Sequence, residues 1–169
     1  MSSIAQPTEP LQNDLTNSID GYNGYQIPEA RSKSDKRLRE FLSKRLQQIE
    51  KDFSNFEHRY YQKNKSARLD IFSKISLSLK MLIQSLLQPS LDMDQFFRRS
   101  RIHPDTLAQL YEYDIQLKNQ VDILIDEVSE LESINGECEV EDMMNHLYDL
   151  IDGANQTLSE REFLMMGES

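Results

Sequence analysis

The sequence predicts an all-α fold, an extended antiparallel helical bundle or coiled coil carrying a disordered N-terminal tail. Three observations predict it. Apolar residues recur every three or four positions through several long segments, which is the period of one helix face. The five Gly and five Pro fall in segments that read as turns or tail, and 28% of the residues are charged. That composition suits solvated helices and disfavours strand-rich folds.

Residues 1–33 read as the tail. They are rich in Ser, Asn, Gln, Pro and Gly and carry little aliphatic mass to offset ordering entropy. Within them, Ile19 to Pro28 holds Tyr22 and Tyr25 between two isoleucines. It reads either as plain linker or as a short motif that orders on a partner.

The first helix is expected to open near Ser34, with Asp35 in its first turn. Leu42, Leu46, Ile49, Phe53, Phe56 and Tyr60 step by 4, 3, 4, 3 and 4, a heptad stripe. Phase is lost at Lys63 to Ser66, which reads as a turn. A second helix is expected from about Ala67, capped by Ser66, to Gln88 before Pro89. Phe72, Ile75, Leu79, Leu82 and Leu86 form its stripe, and Leu69, Ile71, Leu77, Ile83 and Leu87 widen it, so this helix should touch several neighbours.

Ser90 can cap a short third helix from Leu91 to about Arg99. Phe96 and Phe97 are adjacent and cannot share a helix face, so one is expected inward and the other exposed or on a partner. His103-Pro104-Asp105 opens a fourth helix, with Pro favoured in a first turn. Its stripe of Leu107, Leu110, Asp114, Leu117, Val121, Leu124, Val128 and Leu131 alternates steps of 3 and 4, with Asp114 as the one polar member. A polar residue at a core position commonly sets register; the alternative is that the seam shifts and Asp114 faces water. The helix should stop near Asn135-Gly136. A fifth helix is expected from Glu139 to Asp152, with Gly153 ending it. Thr157 and Glu160 then look like a capping box opening a last short helix. The bundle is assigned to 34–134, and 135–169 to an acidic helix-turn-helix segment.

Charge is unevenly spread along the chain, whose net charge is −10. Residues 31–103 hold 17 Lys and Arg against 8 acids, whereas 104–169 hold 2 against 17. Such halves read either as helical arms that attract each other or as a basic surface for an anionic partner. No secretory signal or membrane-spanning stretch is legible. Cys138 is the one cysteine, so no internal disulfide can form. An intracellular protein, cytoplasmic or nuclear, is expected.

No motif names a reaction, and no enzyme, cofactor or metal site is expected. Residues 155–163 imitate the back of a calcium loop, but essential oxygen ligands are missing when Glu162 is set at its last position. His146 with Asp142, Asp149 and Glu139 is a weak metal constellation. His58 and His103 stand in no nucleophile or base motif.

The expected function is non-enzymatic: a scaffold or protein–protein interaction subunit of a coiled-coil complex, homo- or hetero-oligomeric. The partner-binding residues would be Leu42, Ile49, Phe53, Phe56, Phe96, Phe97, Leu107, Leu110, Leu117, Val121, Leu124 and Val128, with the seams Leu42 to Tyr60 and Leu107 to Leu131 packing either against each other or against identical or different chains. The alternative is an adaptor that binds nucleic acid or anionic membrane through residues 31–103, with Arg98, Arg99 and Arg101 as its basic patch. Over about residues 34–134 the layout is similar to that of small subunits of coiled-coil complexes such as kinetochore and vesicle-tethering scaffolds. The likeness rests on layout and assigns no residue a role.

Overall fold

The computed structural model describes residues 8–66, 69–98, 101–134 and 136–167. It is all-α, with six helices and no strand among the described residues. They are α1 (Thr8–Ser18), α2 (Arg31–Lys63), α3 (Asp70–Leu87), α4 (Met93–Phe97), α5 (Pro104–Ser129) and α6 (Glu137–Gly167). Short 3-10 turns at Pro28–Ala30 and Leu131–Ser133 lead into α2 and follow α5.

Four long helices make the bundle. α2 packs on α3 and α5, and α6 packs on the same two. Side-chain pairs give the directions. Tyr61 meets Leu69 and Arg39 meets Ser85, so α2 and α3 are antiparallel. Asp114 meets Arg161 and Glu127 meets His146, so α5 and α6 are antiparallel. Arg45 pairs with Asp122 and Arg59 with Glu132, so α2 and α5 run the same way. Ser78 meets Asn155 and Ser90 meets Glu162, so α3 and α6 also run the same way. The antiparallel order therefore holds for chain neighbours, while the two layers they form stack in parallel register. α4 lies in the crossover from α3 to α5 and rests on the start of α2.

The stripes account for the core. Leu42, Leu46, Ile49, Phe53, Phe56 and Tyr60 of α2 are buried, as are Phe72, Ile75, Leu79, Leu82 and Leu86 of α3 and the whole stripe from Leu107 of α5 to Leu131 in the turn after it. At one end Phe53, Phe56, Tyr60 and Tyr61 gather around Phe72, with ring centroids 5.3–6.3 Å from it. Tyr61 closes the neighbouring turn, its hydroxyl accepting from the Leu69 amide at 3.2 Å.

Helix ends differ in places. α2 begins at Arg31 and not near Ser34, because the Pro28–Ala30 turn delivers the chain already coiled. α3 begins at Asp70, with Leu69 at its N-cap position in place of Ser66. α4 is capped by Asp92, which accepts from the Gln95 amide at 3.0 Å, and not by Ser90. His103 caps α5, its Nδ1 accepting from the Asp105 amide at 3.1 Å. α5 stops at Ser129, ahead of the expected Asn135-Gly136.

Two larger corrections concern the chain's ends. Disorder through residue 33 does not hold from Thr8 onward; residues 1–7 lie outside the described part. α1 packs on α5, and Leu15, Ile19, Tyr22 and Tyr25 are all buried. These four, 4, 3 and 3 residues apart, concentrate apolar surface that an average over the segment hides. The second correction is that residues 137–167 form one helix, not two, and a wall of the bundle rather than an appendage. Val140, Met144, Leu147, Ile151, Ala154, Leu158, Arg161 and Met165 step by 4 and 3 straight through Gly153, and all are buried. The seven apolar side chains among them outweigh the roughly 1 kcal/mol that a mid-helix glycine costs. Thr157 is no N-cap; its hydroxyl donates back to the Gly153 carbonyl at 3.0 Å, inside the helix.

Candidate functional site

Three helices each carry a charged residue at a core position of the heptad stripe, and the three meet at one level. They are Asp35 of α2, Asp114 of α5 and Arg161 of α6, with side chains 2%, 0% and 0% exposed. Arg161 Nε donates to Asp114 Oδ1 at 2.7 Å, and its Nη2 lies 2.8 Å from Asp35 Oδ1. Asp35 Oδ2 accepts from Arg39 Nε at 3.0 Å. Arg39 is itself buried and donates to the Ser85 carbonyl at 3.3 Å. Two carboxylates thus face two guanidiniums, and Glu162 Oε1 lies 3.9 Å from Arg39 at the edge of the cluster. The pairing matters because an unpaired ion in this setting costs several kcal/mol.

The N-terminal segment completes the cluster. Tyr22 and Tyr25 both donate their hydroxyls to Asp114 Oδ2, the former at 2.8 Å. Tyr25 accepts in turn from Arg161 Nη2 at 2.9 Å. Its ring stacks on Phe97 with centroids 5.6 Å apart, and its amide donates to the Tyr111 hydroxyl at 2.5 Å. Gly24 makes this approach feasible: its φ is +74°, and a Cβ there would run into the Tyr111 hydroxyl. Ser34 Oγ donates to the Gly24 carbonyl at 2.9 Å, and Arg31 Nε to the Tyr25 carbonyl at 2.6 Å. The segment is therefore tied to α2, α4, α5 and α6 at once.

Burial sets the protonation of the cluster. It raises Tyr22 and Tyr25 far above the ordinary tyrosine value, and the Asp114 charge adds to this. Tyr111 is raised by burial too. Burial also raises Asp114, against the pull of Arg161 and the two hydroxyls. Arg161 is held well above its usual value by Asp114 first, then Tyr25 and Asp35, despite its desolvation. These hydroxyls and guanidiniums are spent on one another, so the cluster's chemistry is that of a lock between elements.

The outer surface divides by layer. The α5/α6 layer is acidic, and the two cations of 104–169 are engaged: Arg161 is buried and Lys118 lies 3.0 Å from Asp122. Large apolar groups stand exposed on both layers: Leu77 and Met81, one turn apart on α3, and Ile123 and Phe163 on α5 and α6. Thr106, Gln109 and Tyr113 of α5, with Gln156, Glu160, Phe163 and Leu164 of α6, line a groove between those two helices.

The expected seams pack against each other within the one chain, one of the pairings the sequence leaves open. Leu42, Ile49, Phe53 and Phe56 of α2, Leu107, Leu110, Leu117, Val121, Leu124 and Val128 of α5, and Phe96 and Phe97 of α4 are all buried within the one chain. They seal its own core. Both phenylalanines fit because the N-terminal segment covers α4: Phe97 stacks on Tyr25, and Phe96 meets Phe97 edge-on at 5.0 Å. Of the basic patch, Arg98 and Arg101 are exposed, and Arg99 lies outside the described residues. Among the described residues no group of three or more His, Cys, Asp or Glu is placed to hold a metal ion, and no helix is long and apolar enough to cross a membrane.

Arg161 escaped the sequence reading, and the two tyrosines, read there as linker or as a motif for a partner, order instead on this chain's own core. A signal for Arg161 was present: it sits on the same 4-and-3 ladder in α6 that Asp114 occupies in α5, with opposite charge. Splitting α6 at Gly153 broke that ladder. Comparison of the chain with protein-family models, with curated proteins and with solved structures finds no match.

Proposed function

We propose that this chain is a non-enzymatic helical interaction module, a scaffold subunit that presents its outer faces to other proteins. One observation carries the reading. The core is closed by the chain's own heptads, yet Leu77, Met81, Ile123 and Phe163 are 46–76% exposed. Scattered surface leucines need no explanation, but an i, i+4 apolar pair on α3 and an exposed phenylalanine beside a groove give two places for a partner to bury area. The polar cluster supports the reading from the other side, since it holds the helices in one register and leaves those faces rigid.

The alternative of a nucleic-acid or anionic-membrane adaptor draws less support. Arg45 and Arg59 are paired across the layers to Asp122 and Glu132, and Arg39 is buried on Asp35. That leaves fewer free cations than the count over residues 31–103 suggests.

The test combines light scattering of the pure chain with affinity capture by the chain and by a variant carrying Leu77→Asp, Met81→Asp and Phe163→Asp. Self-association, or partners retained by the parent and lost by the variant, is the expected result. A monomer that retrieves the same proteins as its variant would overturn the reading.

A further inference from the structure

Building on the interaction-module reading, we infer that the α5/α6 face docks a basic amphipathic helix supplied by a different protein. Phe163 is the most exposed large apolar side chain among the described residues, at 76%, and it borders the groove between α5 and α6. A second anchor lies farther along the same face. Ile123, 46% exposed, sits between the level where Gln120 meets Thr157 and the level where Glu127 meets His146. That places it near residue 152 of α6, about 11 residues or roughly 17 Å from Phe163 along the axis. A partner helix with apolar side chains three turns, about 11 residues, apart spans roughly 17 Å and would reach both.

Charge selects the occupant. Glu112 and Asp126 on α5, and Asp149, Asp152 and Glu160 on α6, are exposed along this face. The two cations that could neutralise them are withdrawn, Arg161 into the core and Lys118 onto Asp122. A helix bearing Lys or Arg beside its apolar stripe is therefore attracted, and an acidic one repelled. A second copy fits less well. Its α3 offers Leu77 and Met81 beside Lys74 and Lys80, but each copy carries a net charge of −10, so approach is opposed at long range.

The probe is a synthetic Leu/Lys amphipathic helix about 21 residues long, with a Leu/Glu helix of equal length as control. Titration calorimetry is run on the full chain and on two variants, Ile123→Asp/Phe163→Asp and Leu77→Asp/Met81→Asp. All four positions are exposed, so folding is expected to survive, and circular dichroism checks it. The expected result is binding of the Leu/Lys helix that weakens with salt, falls at least tenfold in the Ile123/Phe163 variant and is unchanged in the Leu77/Met81 variant. The added aspartates make that face more acidic, so attraction by charge alone would strengthen binding there. Unchanged or tighter binding by the Ile123/Phe163 variant would overturn the inference. So would no binding by the parent, equal binding of the Leu/Glu helix, or self-association that both variants abolish. A parent that ignores the peptide but still self-associates through Leu77 and Met81 would sink this inference while sparing the interaction-module reading.

Discussion

Arg161 Nε donates to Asp114 Oδ1 at 2.7 Å, and neither side chain touches solvent. The pair ties α6 to α5, and through Tyr22 and Tyr25 it ties both to the N-terminal segment. A buried pair of this kind adds little over well-packed apolar residues, yet removing one partner is costly because the other is left charged and dry. Its contribution is to reject alternatives: sliding α6 by one turn would strand a guanidinium among leucines.

Asp114→Ala is accordingly expected to destabilise the chain by about 3–5 kcal/mol in urea unfolding, because Arg161 loses its closest acceptor. Combining Asp114→Leu with Arg161→Met is expected to cost less than the two single changes added together, by at least about 1 kcal/mol. Strict additivity would show that the two positions are uncoupled.

Alkaline pH should unfold the protein through its tyrosines. Tyr22, Tyr25 and Tyr111 are all raised above the ordinary value of 10.0 when folded. Below pH 10 they are protonated in both states and their contribution is intact. Above it the unfolded chain releases protons that the folded chain retains, so stability falls as pH rises. Each tyrosine contributes a slope of about 1.4 kcal/mol per pH unit while its folded form stays protonated. Urea midpoints between pH 8 and 11 check this. Replacing Tyr22 and Tyr25 by Phe should flatten the fall, at a cost near neutral pH of about 1.5–3 kcal/mol for each hydroxyl bonded to the charged cluster.

Gly24→Ala is expected to cost at least about 2 kcal/mol, the left-handed backbone accounting for roughly 1–2 of it and the collision with Tyr111 for the rest. Limited proteolysis should then cut the segment around residues 18–30 faster than in the parent. The addition of Tyr111→Phe should recover part of the loss. No recovery would mean that the backbone conformation, not the hydroxyl, sets the requirement.

Gly153→Ala should act in the opposite direction. The position lies inside α6, and the nearest atom to an added Cβ is Gln120 Nε2 at an ordinary 3.9 Å. A gain of about 0.5–1 kcal/mol is expected from helix propensity and a less flexible unfolded chain. Thermal unfolding checks it, and a loss would indicate that α6 needs a break there.

The sequence alone determined what local periodicity can carry. The stripes of α2, α3 and α5 were legible because a 3-and-4 alternation of apolar residues is a property of one helix, and helix termini at His103-Pro104 and Pro89 follow from a cap and a missing amide. Which stripe meets which, and in what direction, was left to tertiary structure, because apolar surface is non-directional and any two stripes can pair. The same limit explains the N-terminal segment. Its Leu15, Ile19, Tyr22 and Tyr25 are too few to order the segment alone, and their burial depends on a surface formed by α2, α4, α5 and α6. Asp114 read as the polar member of a core stripe, with a water-facing position as the alternative, and its partner Arg161, 47 residues away, was not legible. A charge's partner is decided by three-dimensional proximity, which a one-dimensional pattern does not contain.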